Sequence, residues 1–454
     1  MLRSLLIHED EIGLLTDLYQ LTMAAAYWSN DLNEPATFEL YFRRLPQNRS
    51  YIVSAGLEQA LHYLSLLKFS SNAIEHLRSL EVFKTVNTGF WDYLAELKFT
   101  GEVRALAEGT PVFPLEPVLQ ITAPLIEAQI AETYLLAVMN MQSMVATKSA
   151  RIVHASRGRG CVDFGTRRAH GPQAGLYAAR ASYIGGCIGT SNVLAGKICD
   201  IPVFGTAAHS FTMSFPSELQ AFKAYAGVFP DHTTLLIDTY DTLAAAKKVK
   251  QVGVDVQAVR IDSGDLAELA REVRKILDRD GLTSVKIFLS GDLNEYKIDQ
   301  LINDGVPVDF FGVGTELVTS YDDPAMSGVY KIVESRSGGI IHPTIKISPG
   351  KPSFPGKKQI YRFQEQGMYK RDLIALDSEP APKNGIPLLE TYFQDGKLVR
   401  SLPPLTETQK FAIENLAKLP EQFHELTKPA EYEVAHSDNL KALHESIAAQ
   451  LKSH

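Results

Sequence analysis

The stretch VRIDSGDLAELAREVRKILDRDG, residues 259–281, contains one complete strand, turn and helix. Its first residues are typical of a buried strand, and DSGD is typical of a turn. Apolar side chains then recur at helical spacing, with charged side chains on the opposite face. Asp265 and Glu268 have the spacing of a helix N-cap pair, and Gly281 suits the end of the helix. The apolar face consists of Leu266, Leu269, Ala270, Val273, Ile276 and Leu277.

The same pattern recurs along the chain from about residue 160. Repeated βα units predict a parallel sheet, and about seven of them favour an incomplete α/β barrel over an open sheet. The turns then lie at the carboxyl ends of the strands, where such barrels bind their ligands. The strand ends read CVDFGT (161–166), CIGT (187–190), VFGT (203–206), LLIDT (235–239), VRIDSGD (259–265), FLSGD (288–292) and FFGVGT (310–315).

The two flanks of the chain have a different pattern. Residues 100–122 alternate and turn on Gly and Pro, as antiparallel strands do, and β-like segments return after residue 325. We therefore predict an α/β protein of two domains. The barrel, with a catalytic rim, spans residues 136–324, and a second, mostly β domain of α+β type is built from both chain ends, residues 1–135 and 325–454.

The composition excludes several classes of partner. The chain has 454 residues and a net charge of −8, which argues against a surface for nucleic acid or anionic membrane but allows a local basic pocket for phosphates. Cys161, Cys187 and Cys199 fit neither a zinc site nor a disulfide framework. We see no pattern of a signal peptide or membrane span, and we expect a cytoplasmic enzyme.

Three successive strand ends carry residues suited to a phosphorylated sugar. Asp262 and Ser263 follow one strand, and Asp292 follows the next. Gly314 and Thr315 follow the last strand, where backbone N–H groups and a hydroxyl can approach a phosphate closely. The aspartates can accept hydrogen bonds from ribose hydroxyls, although each aspartate in such a turn can instead cap a helix.

Two further turns carry cationic groups. Arg167 and Arg168 follow the strand that ends at DFG, where a guanidinium suits a phosphate or pyrophosphate, and Phe164 offers an aromatic face beside them. Surface charge is the ordinary alternative for an arginine pair. His209, in GTAAHSF, has no second His or Cys at metal spacing. It is either a packed core histidine or a functional group at the barrel mouth.

Ten motifs together resemble nicotinate phosphoribosyltransferase. They occur in the order typical of that family and extend over nearly the whole chain. The motifs are TDLYQLTM (16–23), FELYFRRLP (38–46), DFGTRRAHGPQAG (163–175), GTSN (189–192), GTAAHSF (205–211), IDTYDT (237–242), RIDSGD (260–265), SGDLNEYKI (290–298), FGVGTEL (311–317) and PGKKQIYR (355–362).

The resemblance implies a reaction and a covalent intermediate. Members of the family condense nicotinate with phosphoribosyl pyrophosphate (PRPP) to form nicotinate mononucleotide and pyrophosphate, the first step of NAD salvage from nicotinate, and they couple this to ATP hydrolysis. The resemblance makes His209 the histidine that ATP phosphorylates and Asp238 the carboxylate that orients its imidazole. A carboxylate on one ring nitrogen fixes the tautomer and raises the nucleophilicity of the other nitrogen.

The resemblance also implies the substrate contacts. Nicotinate would stack between Phe164 and Tyr19, with Tyr19 supplied by the second subunit of a homodimer with shared active sites. Ser191, Thr206 and Arg260 match positions near the pyridine. Mg²⁺ is the expected cofactor, its ligands are not specified, and no structural zinc is expected because the C-terminal region lacks a cysteine cluster. The PRPP site would comprise Arg167, Asp262, Ser263, Asp292, Gly314 and Thr315.

Other functions compete with this interpretation. Relatives specific for nicotinamide carry an acidic residue at the third position of GTSN, where this sequence has Ser191, so nicotinate is favoured. A quinolinate phosphoribosyltransferase uses no ATP, which argues against it because His209 and Asp238 are both present. The acidic signature of purine-salvage phosphoribosyltransferases is missing. A non-catalytic metabolite-binding relative remains a different class, and His170 departs from the family's usual DFG segment.

Overall fold

The unit predicted from residues 259–281 is present in the computed structural model, which describes residues 5–347 and 353–452. The strand Ala258–Ile261 is followed by the helix Leu266–Arg279. The Asp265 carboxylate accepts a hydrogen bond from the Glu268 N–H at 3.0 Å, so this aspartate is a helix cap. The helix buries Ala270, Val273, Ile276 and Leu277, and burial of each large aliphatic side chain contributes about 1.5–3 kcal/mol.

The chain forms two units. One contains residues Met144–Pro324 and Leu405–Ile413, and the other contains the described residues of 1–143, 325–404 and 414–454. Residues 405–413 thus group with the barrel, although the sequence placed all of 325–454 in the flanking domain. In the barrel unit, the Gln409 amide donates to the backbone carbonyls of Tyr183 and Cys187 at 2.7 and 2.8 Å.

The barrel unit contains a curled sheet of six parallel strands, which confirms the incomplete α/β barrel. The seventh predicted strand is reduced to a single parallel bridge between Thr190 and Val203. Each strand except the edge strands has a neighbour on both sides, which explains their continuous apolar character. From edge to edge the strands are Gly189–Thr190, Gly160–Asp163, Phe310–Val313, Lys286–Leu289, Ala258–Ile261 and Thr234–Leu236.

Helices connect these strands, as parallel pairing requires. The helix Glu132–Ala155 runs through the residue boundary between the two units. The other α-helices of the barrel unit are Pro172–Ile184, Val193–Cys199, His209–Met213, Glu218–Val228, Thr242–Ala246, Leu266–Arg279, Glu295–Asn303 and Thr315–Val318, and Leu405–Leu416 begins in it.

The flanking unit is mostly β and combines both chain ends, as predicted. The strand Pro35–Phe42 pairs antiparallel with Gly328–Ser337 on one side and Pro117–Pro124 on the other. The seven-stranded sheet runs Ile340–Pro343, Gly328–Ser337, Pro35–Phe42, Pro117–Pro124, Glu102–Ala105, Glu390–Gln394 and Lys397–Leu398.

Among the described residues, two smaller sheets and six further α-helices complete the flanking unit, in which the helix Glu132–Ala155 also begins. The four-stranded sheet contains Ile386–Pro387, Lys358–Glu365, Met368–Leu376 and Val434–His436, and the two-stranded sheet contains Ile52–Val53 and Pro111–Val112. The helices are Leu18–Ser29, Leu57–Leu66, Ser71–Ser79, Thr88–Glu96, Leu125–Ile130 and Asp438–Lys452. Within the described ranges, none of the helices has the length and apolar character to cross a bilayer.

Two of the quoted motifs form a buried ion pair in the flanking unit. Glu39, from FELYFRRLP, lies 2.9 Å from the Lys358 ammonium of PGKKQIYR. Burial raises the pKa of Glu39 and lowers the pKa of Lys358, while the attraction between the two charges opposes both shifts. Arg362, from the same motif, pairs with Asp372 at 2.6 Å. Two of the quoted motifs thus place paired charges in the interior of the flanking unit, where loss of one partner would leave the other buried and uncompensated.

Candidate active site

A cavity of about 210 Å³ lies at the carboxyl edge of the parallel sheet. The turns after four strands line it, because carboxyl ends of parallel strands share one edge. Seven of the predicted site residues line this cavity, and four further residues complete it. The lining residues are Phe164, Arg167, Arg168, Arg260, Asp262, Ser290, Gly291, Asp292, Gly312, Gly314 and Thr315.

Arg260 is the most highly connected side chain of this site. It is 9% exposed, and its guanidinium donates to the Ser290 hydroxyl at 2.8 Å, the Thr206 hydroxyl at 2.9 Å and the Asp262 carboxylate at 2.5 Å. These contacts fix the plane of the guanidinium, since its donors project in a rigid fork. The structure therefore brings Thr206 and Arg260 into direct contact, and the resemblance predicts that both lie near the pyridine.

Asp262 is held in its charged form. Burial alone would raise the pKa of its carboxyl, but the hydrogen bond from Ser290 and the Arg260 guanidinium lower it more, so the pKa lies below its usual value. The Ser290 hydroxyl donates to Asp262 at 2.5 Å. Ser290 therefore links Arg260 to Asp262. It is the first residue of the motif SGD, and no role was predicted for it from the sequence.

Phe164 presents its ring beside Arg260. The Arg260 guanidinium carbon lies 5.2 Å from the Phe164 ring centroid, and Phe288 stacks on the same ring at 5.4 Å. Gly312 makes room for this ring, because a Cβ at Gly312 would lie 2.6 Å from a ring atom of Phe164. An aromatic face next to a cation suits a planar anionic ligand.

The Gly291–Asp292 turn packs directly against the turn that carries Asp262. Gly291 has φ +100°, and a Cβ there would lie 2.1 Å from the Asp262 carbonyl oxygen. Asp292 also has positive φ, +45°, and its carbonyl accepts a hydrogen bond from the Lys297 ammonium at 2.8 Å. Asp is one of the few non-glycine residue types that adopt this conformation readily.

His209 lies at this edge of the sheet and not in the apolar core. Its side chain is 40% exposed, and Nε2 is 3.9 Å from Oδ2 of Asp262. Nδ1 lies 3.2 Å from the Thr239 hydroxyl oxygen. The core-packing alternative is therefore wrong, because the imidazole is open to solvent and lies next to a cavity-lining carboxylate.

Asp238 does not contact the imidazole, in contrast to the predicted pairing. Its Oδ2 accepts hydrogen bonds from the Asp262 N–H at 2.9 Å and the Ser263 hydroxyl at 2.7 Å. Its Oδ1 is buried without a hydrogen-bond partner among the described residues. The carboxylate is committed to the 262–263 turn, so the neighbouring Thr239 occupies the position next to His209.

Ser191 and Tyr19 lie outside the cavity lining. Ser191 follows the strand Gly189–Thr190, and its N–H donates to the Asp163 carbonyl at 2.8 Å. Tyr19 belongs to the flanking unit, on the helix Leu18–Ser29, and is 47% exposed. Arg168, predicted together with Arg167 to suit a phosphate, lines the cavity. Thr239 was given no role from the sequence, although it lies within the motif IDTYDT next to Asp238.

The fold and the cavity define a class of protein. A parallel half-barrel whose carboxyl edge combines three arginines, two aspartates and an aromatic ring is typical of an enzyme that acts on a small molecule. Among the described residues, no group of three or more His, Cys, Asp or Glu side chains has an arrangement that could hold a metal by itself.

Comparisons with known proteins identify the family. Models of the nicotinate phosphoribosyltransferase family match residues 14–140 (N-terminal domain), 160–346 (the family model) and 383–444 (C-terminal domain). The chain is 43% identical over 436 residues to nicotinate phosphoribosyltransferase pncB2 of Mycobacterium tuberculosis, covering 94% of this chain and 92% of that protein. It is 39% identical over 464 residues to nicotinate phosphoribosyltransferase of Bacillus subtilis, covering 95% and 94%.

A solved structure agrees with these matches. The crystal structure of human nicotinic acid phosphoribosyltransferase has a TM-score of 0.82 and 30% identity, covering 95% of this chain and 99% of the human chain. The chain belongs to the nicotinate phosphoribosyltransferase family.

Proposed function

We propose that this protein transfers the phosphoribosyl group of PRPP to nicotinate, forming nicotinate mononucleotide and pyrophosphate. The observation that carries the proposal is the convergence of Arg167, Arg260, Asp262 and Phe164 on one cavity in a member of this family. The cavity offers cations for pyrophosphate, carboxylates for ribose hydroxyls and an aromatic face for the pyridine.

The pyridine end of the site would be formed by Phe164 and Arg260. The Phe164 ring would stack on the pyridine, which aligns the ring nitrogen with ribose C1. Arg260 lies beside that ring with Thr206 on its Nη1, so its charge and the hydroxyl suit the nicotinate carboxylate. The neutral hydroxyl of Ser191 would not repel that carboxylate, and it supports nicotinate over nicotinamide as the substrate.

The PRPP end of the site would be formed by five lining residues and by Ser263, which follows Asp262 in the chain. The lining residues are Arg167, Asp262, Asp292, Gly314 and Thr315. Displacement of pyrophosphate from C1 leaves negative charge on the leaving group, which Arg167 would stabilise. Mg²⁺ fits this site, because the Asp262 carboxylate stays charged and hard oxygen ligands together with substrate phosphates suit this ion. When bound, the ion would neutralise charge on the pyrophosphate.

We propose further that ATP is hydrolysed through phosphorylation of His209. The support is its position: the imidazole is accessible and lies 3.9 Å from Asp262 in the cavity lining. Thr239 would hold Nδ1, while Asp238 would act indirectly by fixing the 262–263 turn. ADP and phosphate are the expected additional products.

The working enzyme would be a homodimer with composite sites. Large apolar side chains are exposed along one edge of the barrel sheet, which is typical of an interface; they are Val193, Leu194, Ile198, Val203 and Phe204. Tyr19 of the partner subunit would then face the pyridine, as the family resemblance implies. The three free cysteines support a reducing compartment, and we place the enzyme in the cytoplasm.

The deciding experiment offers nicotinate and nicotinamide together with PRPP, with and without ATP, and identifies the products. We expect nicotinate mononucleotide as the main product and ADP in proportion to it when ATP is present. A preference for nicotinamide would assign the other substrate, and binding without turnover would assign a metabolite-binding role. Mixing a Tyr19→Ala chain with an Arg260→Ala chain tests composite sites, since activity should return only if the sites are shared.

A further inference from the structure

A completely buried lysine of the barrel unit contacts side chains that follow the two turns proposed to bind the phosphates of PRPP. These phosphate turns are Gly291–Asp292 and Gly314–Thr315. Lys148 is on the helix Glu132–Ala155, and its side chain has no exposed surface. Its ammonium is 2.6 Å from Oε2 of Glu295, 2.8 Å from Oδ1 of Asp322 and 3.9 Å from Oε2 of Glu316. None of the sequence motifs contains this lysine, and the proposed reaction does not use it.

Two of these carboxylates follow the turns that line the cavity. Glu295 begins the helix Glu295–Asn303, three residues after Asp292. Glu316 comes directly after Thr315. Asn294, whose side chain caps the helix, also opposes the rise that burial causes in the pKa of Glu316 and therefore lies close to that carboxyl. One ammonium therefore contacts the segments that continue from both phosphate turns.

Lys148 supplies positive charge close to all three carboxylates of this cluster. Arg151 donates to Oε1 of Glu295 at 3.0 Å, so Lys148 and Arg151 together face three carboxylates. Burial raises the pKa of Glu316 and Lys148 opposes that shift. Without Lys148, Glu295 would keep Arg151, whereas Glu316 and Asp322 would lose their shared cation. Glu316 and Asp322, next to the Gly314–Thr315 turn, would then move away from Glu295, next to the Gly291–Asp292 turn.

We propose that Lys148 is a positioning residue that sets the spacing between the Gly291–Asp292 turn and the Gly314–Thr315 turn, and hence the affinity for the phosphate groups of PRPP. This inference rests on the proposed function for its substrate. A displacement of about 1 Å in a positioned site can change rates by about a hundredfold. The pyridine end depends on Arg260 and Phe164, which Lys148 does not contact, so the effect is selective for PRPP.

Lys148→Met is expected to raise the KM for PRPP about tenfold or more, while the KM for nicotinate changes less than about twofold. Isothermal calorimetry with pyrophosphate and Mg²⁺ should give a similar weakening. Equal changes in both KM values, or no change in either with a folded variant, would overturn the proposal. A double variant, Lys148→Met with Glu316→Gln, should bind PRPP no worse than Lys148→Met alone, because Glu316 acts through the lysine.

If Lys148→Met does not fold, Glu316→Gln tests whether the lysine cluster positions the two turns. It leaves the contacts of Lys148 with Glu295 and Asp322 intact, and it should raise the KM for PRPP about threefold with little change in melting temperature. An unchanged KM for PRPP would reject the proposal. The matched control is Arg157→Met, which breaks the exposed pair between Arg157 and Asp299 near the same helices and should leave both KM values unchanged.

The pyrophosphate measurement separates this inference from the proposed function. Suppose the wild-type chain binds pyrophosphate but does not convert nicotinate and PRPP. The proposed function then fails, while weaker pyrophosphate binding by Lys148→Met still supports the positioning role. If instead the wild-type chain is active and Lys148→Met binds pyrophosphate normally, the positioning role fails and the proposed function stands.

Discussion

Nδ1 of His209 lies 3.2 Å from the hydroxyl oxygen of Thr239, while the carboxylate of the preceding Asp238 binds the Asp262–Ser263 turn. The hydrogen-bond partner of the imidazole in the structure is therefore one position later than the carboxylate that the resemblance implies. A hydroxyl can either donate to the ring nitrogen or accept from it, so Thr239 is compatible with both tautomers. A carboxylate would favour only one.

His209→Ala is expected to abolish ADP formation and the stimulation by ATP while leaving a slow condensation without ATP. Thr239→Val should reduce the ATP-stimulated rate about tenfold, because the imidazole loses its orienting partner. Coupled assays of ADP and nicotinate mononucleotide measure both effects. His232→Ala removes an exposed histidine in the same unit and serves as the control. ATP stimulation that survives in His209→Ala would exclude the phosphohistidine.

Ser290→Ala is expected to shift the acidic limb of the pH–rate profile to higher pH. The pKa of Asp262 lies below its usual value because Ser290 and Arg260 outweigh the effect of burial. Activity that needs the carboxylate is present above this pKa and is lost as the pH falls through it. Without the Ser290 hydroxyl the pKa rises, so the loss begins at higher pH. An unshifted acidic limb would show that Asp262 does not limit the rate, and Ser214→Ala is the control.

Ser191→Asp is expected to change the choice of pyridine. The added carboxylate should repel nicotinate and can accept from the amide of nicotinamide. The ratio of kcat/KM for nicotinate over nicotinamide should fall about tenfold or more. Ser191→Asn, which adds similar volume without charge, separates repulsion from size. If both variants retain the wild-type ratio, Ser191 has no part in substrate selectivity.

Gly312→Ala is expected to raise the KM for nicotinate several-fold. The new methyl group would lie 2.6 Å from a ring atom of Phe164, so the ring must shift from its position beside Arg260. Steady-state kinetics with nicotinate as the varied substrate tests this. Gly227→Ala is the control, since a Cβ there meets open space in the helix Glu218–Val228. A normal KM for nicotinate in Gly312→Ala would argue against the aromatic contact.

Arg362→Met is expected to destabilise the flanking unit by about 3–5 kcal/mol, because it leaves the buried Asp372 without its cation. Arg362 is 1% exposed on its side chain, and it also donates to the Pro111 carbonyl at 2.8 Å. Urea unfolding measures the change in free energy. Lys370→Met on the same hairpin breaks the exposed pair with Glu365 and should leave the unfolding midpoint almost unchanged. Equal midpoints for the two variants would contradict the prediction.

Local patterns in the sequence predicted the barrel because the strand, turn and helix of each βα unit are specified by residues within that unit. The cap at Asp265 and the apolar face of Leu266–Arg279 depend only on residues a few positions apart. The prediction of a strand at Val203 was less accurate, since this segment forms only one bridge, to Thr190. An edge strand has a neighbour on one side only, and the sequence does not specify which strand lies at an edge.

The amino-acid sequence by itself determined the repeated βα units, the use of both chain ends in a second domain and the polar residues at the strand ends. Only the tertiary structure decided which of those residues meet: Ser290 between Arg260 and Asp262, Thr239 next to His209, and Lys148 behind two turns. The physical reason is the distance along the chain over which each kind of interaction acts. Hydrophobic periodicity and helix capping act between near neighbours in the chain, whereas hydrogen bonds and ion pairs between distant segments depend on how close the folded backbone brings them.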